Sequence, residues 1–449
     1  MRLPLSGRRQ PLRRISGKVR IMDRKVYENY VAILKKELVL ALGCTEPIAI
    51  AYAGALVRRL MGKVPERIET YCSGNIVKNV KAVTVPNSNG SKGIEVAATL
   101  GVLGGDPDQE LAVLQSVTEE DIKRCKELVE QGFCRCSLVE NVANLYIRIV
   151  AFSGEETAEV ELRDYHRNVT KLVKNGEVIF EKKEEERSEK NADEPDYTLL
   201  NVKDILTFAD TVDLKDVEEI LDRQIRCNTA ISEEGLRGHY GAEVGRTYLE
   251  DGATDVRIRA KARAAAGSDA RMSGCPLPVV INSGSGNQGI TATMPVVEYA
   301  EHYGVSREKL LRSLVVSNLV ALHQKRYIGS LSAYCGAVSA ACGSGAGIAY
   351  MEGMPYERIC DVITNCIASV GGMVCDGAKP SCAAKIAVAV EAALMAVGLS
   401  RKQHAFHSGE GLVMDDIEKT IAGIGRVGRV GMKPTDVEIL NIMLGKIKI

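Results

Sequence analysis

The sequence predicts an α+β fold: an N-terminal α+β domain with an antiparallel sheet, followed by a mostly α-helical C-terminal domain. Three observations predict it. From 134 to 182, short β-branched runs (CSLVE, NLYIRIVAFSG, TAEVELRD, VTKLVK, EVIFEK) alternate polar and apolar residues, and Asn175-Gly176 between the last two is a hairpin signal. From 202 onward helical periodicity dominates, with strand-like character left only in PVVI at 278–281. Between them lies 181–194, where eleven of fourteen residues are charged. That composition cannot pack, so it reads as an exposed linker. The expected organisation is a disordered basic extension at 1–21, an α+β domain at 22–195 that ends in the charged linker (181–195), and a helical domain at 196–449.

The elements follow in order. The first twenty residues hold seven Arg or Lys and no acid. They have no apolar core of a secretory signal, so they read as an extension or a transit peptide. Residues 23–42 carry one apolar helical face (Val26, Tyr30, Ile33, Leu38, Leu42), and Gly43 ends that helix. Pro47 suits the first turn of the next, with Thr45 or Glu46 as N-cap. Cys44 then sits just outside a helix N-terminus, where its pKa should fall. It is a candidate base or nucleophile, or else an ordinary buried thiol in a tight turn.

Residues 67–85 read as strands around a polar turn, SGNIVKN, whose Asn75, Lys78 and Asn79 could hold a carboxylate or simply serve the turn. Helices are expected at 93–104 and at 118–131, the latter opened by Thr118. In the second half they are expected at 202–264, 291–328, 331–352, 355–372, 381–398, 414–425 and 434–446. INSGSGNQGITATMP (281–295) is a Gly-rich loop before a helix, a pattern that presents N–H groups to an anion. It lacks the Lys of a P-loop, so the alternative is a tight connection.

Composition excludes several classes. The 449 residues are 45% hydrophobic, carry no net charge and are only 4% aromatic without Trp. Neither a basic footprint nor stacking platforms for nucleic acid are present. Thirteen cysteines, an odd number, do not suit a secreted disulfide framework. They suit a reducing, cytoplasmic setting with metal-binding or catalytic thiols. The most apolar helix, 383–397, carries Lys385 and Glu391, so it reads as a core helix rather than a membrane span. Neither HExxH nor GxSxG occurs.

Six of the thirteen cysteines fall in 335–382: Cys335, Cys342, Cys360, Cys366, Cys375 and Cys382. DGAKPS between the last two is a turn, and Pro380 suits the start of a helix whose first turn holds Cys382. Unpaired N–H groups there favour a thiolate, and thiolates hold iron–sulfur clusters. The other reading is small buried apolar residues, since no CxxC pair appears.

GCTEP at 43–47, NSGSGNQG at 282–289, Cys335 opening a small-residue helix and CDGAKPSC at 375–382 together resemble the L-cysteine desulfidase family, which is related to the α part of bacterial iron–sulfur L-serine dehydratases. The resemblance runs from about residue 24 to the end. It implies a PLP-independent β-elimination on a [4Fe–4S] cluster with three protein thiolates, at Cys335, Cys375 and Cys382, and a proton acceptor at Cys44; Cys342 is not among the carried-over positions. The related serine dehydratases add a C-terminal cysteine, whereas this chain ends GKIKI, which tips the expectation toward L-cysteine over L-serine.

The substrate carboxylate is expected at the loop around Ser285 and Asn287, with Asn75, Lys78 and Lys379 as further donors. The site should lie where the two domains dock. The expected partner is an amino-acid substrate, with no nucleic acid and no membrane, and the chain is expected to form a homo-oligomer, a dimer. Two other classes compete: a PLP-dependent lyase, with the Gly-rich loop on the cofactor phosphate and a lysine as Schiff base, told apart by its aldimine absorption, and a non-catalytic redox or metal sensor using the same thiols, which would bind iron and release no sulfide.

Overall fold

The computed structural model describes residues 22–182, 194–329 and 331–447. The basic extension at 1–21 and most of the charged linker, 183–193, lie outside the described residues.

Helix α1 (Arg24–Glu37) opens on Asp23, whose carboxylate accepts from the N–H groups of Lys25 and Val26. It stops five residues short of Leu42. Leu40–Leu42 instead form a short strand, β1. A run such as LVLAL satisfies either period, and its partner lies far along the chain. Helix α2 (Thr45–Met61) follows and is buried on nearly every side.

Strand β2 (Arg67–Ser73) runs straight into α3 (Gly74–Val80), where the sequence reading expected a second strand after a turn. Ile76 and Val80, one helical turn apart, are both fully buried, so a helix hides the apolar pair that a turn would expose. Helix α4 (Ile94–Gly104) and α5 (Glu119–Glu130) come next. A Thr118–Asp121 capping box opens α5.

Strands β3 (Cys134–Val139), β4 (Tyr146–Ser153), β5 (Glu156–Arg163), β6 (Val169–Lys174) and β7 (Glu177–Glu181) complete one sheet in the order β3-β2-β4-β5-β6-β7. Every pair is antiparallel except β2–β3, which is parallel with Ile68 opposite Cys134. Helices α3 to α5 form the crossover that a parallel pair requires. The antiparallel expectation thus holds apart from this edge.

The second half is helical, as expected: α6 (Val202–Thr211), α7 (Glu218–Arg237), α8 (Val244–Gly252) and α9 (Val256–Met272), then strand β8 (Pro278–Val280). After it come α10 (Gly286–Tyr303), α11 (Arg307–Ile328), α12 (Gly336–Met351), α13 (Tyr356–Val370), α14 (Cys382–Arg401), α15 (Ile417–Arg426) and α16 (Lys433–Met443).

Strand β8 pairs antiparallel with β1, Leu40 opposite Val280, and so ties the two halves together. The rings of Tyr27 and Tyr30 on α1 each meet Phe208 of α6 edge-on at 5.4 Å, a second tie. Small residues let the helices pack closely. A Cβ on Gly343 of α12 would lie 2.3 Å from the Ser317 carbonyl of α11. Helix α14 is long and apolar enough to cross a membrane by length and composition, yet it packs on α9, α12 and α13 with just over half of that stretch buried.

Candidate functional site

The link between β1 and α2 builds the first corner of the site. Gly43 has φ +55°, and a Cβ there would sit 2.2 Å from the Pro86 ring, so the turn demands glycine. Arg271, buried on α9, donates from Nε to the Gly43 carbonyl at 2.9 Å. The N-cap of α2 is Cys44 itself, not Thr45 or Glu46, and its side chain makes no capping bond. Instead its Sγ donates to Glu46 Oε2 at 3.1 Å.

Asn79 of α3 donates to Glu46 Oε1 at 3.2 Å, and Thr45 Oγ1 reaches the Gly284 carbonyl at 2.9 Å. Burial pushes the Cys44 thiol well above its usual pKa, and the Glu46 carboxylate adds to this against the opposing pull of Arg271. The fall expected from a helix N-terminus is therefore reversed: Cys44 rests as a neutral thiol.

The second corner is made by 333–335 and 373–375. Tyr334 and Val374 form a short antiparallel bridge. The Cys335 N–H donates to Met373 O at 2.9 Å and the Cys375 N–H to Ala333 O at 2.6 Å, which sets the two cysteines side by side. Their thiols interact directly. The hydrogen bond from Cys335 holds Cys375 below the ordinary thiol value, with Lys78 and Lys325 helping, and raises Cys335 in turn.

Cys382 opens α14 and donates to the Gly377 carbonyl at 3.7 Å. Its thiol lies above the ordinary value because it is buried, again against the helix-terminus expectation. Cys382 and Ala378 pack on an apolar cluster of Cys44, Val83 and Met272. The expected proton acceptor and one of the three expected ligands thus share one apolar cluster. Gly377 lets this turn approach α3: at φ +95° its missing Cβ would fall 2.3 Å from the Lys78 carbonyl.

The expected carboxylate donors are placed unevenly. Lys78, 2% exposed, pairs with Asp436 and donates to the Cys375 carbonyl at 3.4 Å. Lys379 is spent on Asp376, at 2.5 Å, and on the Gly377 carbonyl. Partial burial pushes the Asp376 carboxyl up, but hydrogen bonds from Lys379 and Lys385 outweigh it and hold its pKa at about 2.

Ser285 is the N-cap of α10, again without a side-chain capping bond. The Oδ1 atoms of Asn75 and Asn287 are buried without hydrogen-bond partners, and so is Gln288 Oε1. Gln288 lies against Gly336, where a Cβ would come within 2.4 Å of it, next to Cys335. Unpaired buried acceptors are costly, and two of the three, on Asn287 and Gln288, sit side by side in the first turn of α10, where they can meet a polar ligand.

Among the described residues, no three Cys, His, Asp or Glu side chains converge on a single metal ion. The ligands of a cube bind different irons and need no such convergence.

A family model described as serine dehydratase alpha chain matches residues 108–441. This chain belongs to the serine dehydratase alpha chain family. A UPF0597 protein of Lachnoclostridium phytofermentans is 50% identical over 419 residues, covering 93% of this chain and all of that protein. One from Finegoldia magna is 50% identical over 420 residues, with 93% and 100% covered. A more distant one, from Chromobacterium violaceum, is 38% identical over 427 residues, with 94% and 98% covered. The stretch shared with the serine dehydratase alpha chain model contains Ser285, Asn287, Cys335, Cys375 and Cys382; Cys44 and Lys78 lie before it.

Sequence reasoning missed four members of this corner: Glu46, His166, Arg271 and Lys325. Glu46 had a usable signal, an acid two residues after Cys44 in a first helical turn. His166 comes from the β5–β6 turn and lies against Gly284, its Nε2 buried and unpartnered. Burial lowers its pKa, so the ring is neutral. No local pattern announces His166, Arg271 or Lys325, because only the folded chain brings them near Glu46.

Proposed function

We propose that this chain is a PLP-independent lyase that carries out β-elimination on L-cysteine, giving pyruvate, sulfide and ammonia, with a [4Fe–4S] cluster held by Cys335, Cys375 and Cys382. The supporting observation is the meeting of these three thiols with Cys44, Glu46 and two buried lysines. The donor set suits the group: three sulfur ligands, two at helix N-caps or first turns, with cations beside them. When bound, such a cluster supplies a Lewis-acidic iron that turns the β-sulfur into a better leaving group.

The chain's own residues do the rest. The unpaired oxygens of Asn75, Asn287 and Gln288 are acceptors for the substrate ammonium. The N–H groups that open α10 beside Ser285 are donors for its carboxylate. Cys44 passes its proton to Glu46 Oε2, and its Sγ then takes the Cα proton as the Cβ–S bond breaks. The aminoacrylate released tautomerises to an imine, and water converts it to pyruvate and ammonia. The apolar wall of Val83 and Met272 keeps bulk water off the Cys44 sulfur.

A second reading, L-serine as substrate with loss of water, draws on the family description. Protein purified without oxygen is assayed for iron, pyruvate and sulfide with each amino acid. Sulfide and pyruvate in equal amounts from L-cysteine support the first reading. Pyruvate from L-serine alone selects the second. Turnover by iron-free protein sinks both.

A further inference from the structure

Four lysines crowd the three thiols, and three are already matched. Lys78 pairs with Asp436, and Lys379 and Lys385 both pair with Asp376. Lys325 stands apart. It lies in the last turn of α11, is only 7% exposed, and forms no ion pair among the described residues. Helices α11 and α12 pack antiparallel, with Gly343 against the Ser317 carbonyl and Gly347 against the Ser313 carbonyl, a register that runs on to set Lys325 opposite Cys335. A buried ammonium without a counter-charge is costly, so a working site must supply one.

We infer that Lys325 is a positioning residue whose charge counterbalances the thiolates of Cys335 and Cys375 where they hold the cluster. The balance is local. With Lys78 committed to Asp436 and the other two lysines to Asp376, removing Lys325 leaves those thiolates facing no unshared cation. The inference rests on the cluster reading above.

The test uses the full chain, handled without oxygen, as wild type, Lys325→Met and Lys325→Arg. Iron and acid-labile sulfide per chain are measured, and the reduction midpoint is followed by visible and paramagnetic resonance spectra. Wild type and the Arg variant should share a midpoint. The Met variant should shift to a more negative one, since the added electron no longer meets a cation. Loss of iron from the Met variant alone, with the Arg variant loaded, supports the same role.

An unchanged midpoint in a loaded Met variant overturns the inference. If that variant does not fold, Lys325→Gln replaces it. Failure of both neutral variants to fold while the Arg variant does overturns it too, by making the charge a demand of the fold. Iron-free wild type is a separate outcome, which rejects the cluster reading itself.

Discussion

Cys44 donates its thiol proton to Glu46 across 3.1 Å, both side chains buried at the mouth of α2. Burial, with this carboxylate beside it, keeps the thiol neutral at rest, and the contact shows where its proton can go. Cys44→Ala should fold and keep its iron but lose turnover. Glu46→Gln keeps the size and the contact with Asn79, yet removes the acceptor charge. Its kcat should fall about 10²- to 10⁴-fold, the usual worth of a general acid–base group. Pyruvate release at saturating substrate checks both, and an unchanged kcat in Cys44→Ala removes this residue from the mechanism.

Cys375→Ser should lose most of its iron, because a serine oxygen is a poor replacement for a soft thiolate. Cys342→Ser is the control. That thiol is fully buried, donates to the Ile363 carbonyl at 3.8 Å and has Cys366 as its thiol neighbour, so the variant should keep wild-type iron. Iron per chain, measured anaerobically, decides. Full iron in Cys375→Ser breaks the ligand set.

How much of this was legible in the sequence depends on range. The hairpin at Asn175-Gly176 and the capping box at Thr118 were readable because turn and cap chemistry is local. The helical second half was readable from periodicity. Residues 74–80 were not, since a seven-residue amphipathic run fits a turn as well as a helix until Ile76 and Val80 find a core. Leu40–Leu42 became a strand only because Pro278–Val280 offered an edge.

The thiols were legible as residues, but their charge states were not. Helix position argued for thiolates at Cys44 and Cys382, and burial outweighed it at both. Burial is a property of the fold and not of the motif.

Asp269 predicts a pH dependence of stability. It is 1% exposed; its Oδ2 accepts the Gly245 N–H at 3.0 Å, and its Oδ1 has no partner. Burial raises its pKa to about 6, against about 3.9 in an unfolded chain. Between those values the folded state binds more protons than the unfolded one. Stability from this group is therefore present at low pH and is lost as pH rises through about 6, by about 2–3 kcal/mol in all. Asp269→Asn keeps an acceptor for Gly245 and cannot ionise. Its stability relative to wild type, from denaturant melts, should be near zero at acid pH and favour Asn by about 2 kcal/mol at pH 7. A pH-independent difference would refute the assignment.

Helix α2 must also be held at the right depth, and two glycines set it. A Cβ on Gly54 would lie 2.6 Å from the Ala98 carbonyl, and one on Gly101 of α4 only 2.1 Å from the Ala51 carbonyl. These contacts are with backbone, so neither helix can yield locally. Gly101→Ala should cost about 1–3 kcal/mol, the usual penalty of overpacking, and push α2 outward.

Because α2 carries Cys44 and Glu46 while the three expected ligands lie on other segments, kcat should fall in Gly101→Ala with iron content kept. Gly62→Ala is the comparison. Gly62 ends the same helix at φ +86° with nothing within 4 Å of a Cβ, so the variant should lose about 1 kcal/mol through backbone strain and keep its kcat. Equal effects of the two variants on kcat would show that the depth of α2 does not govern the Cys44–Glu46 pair.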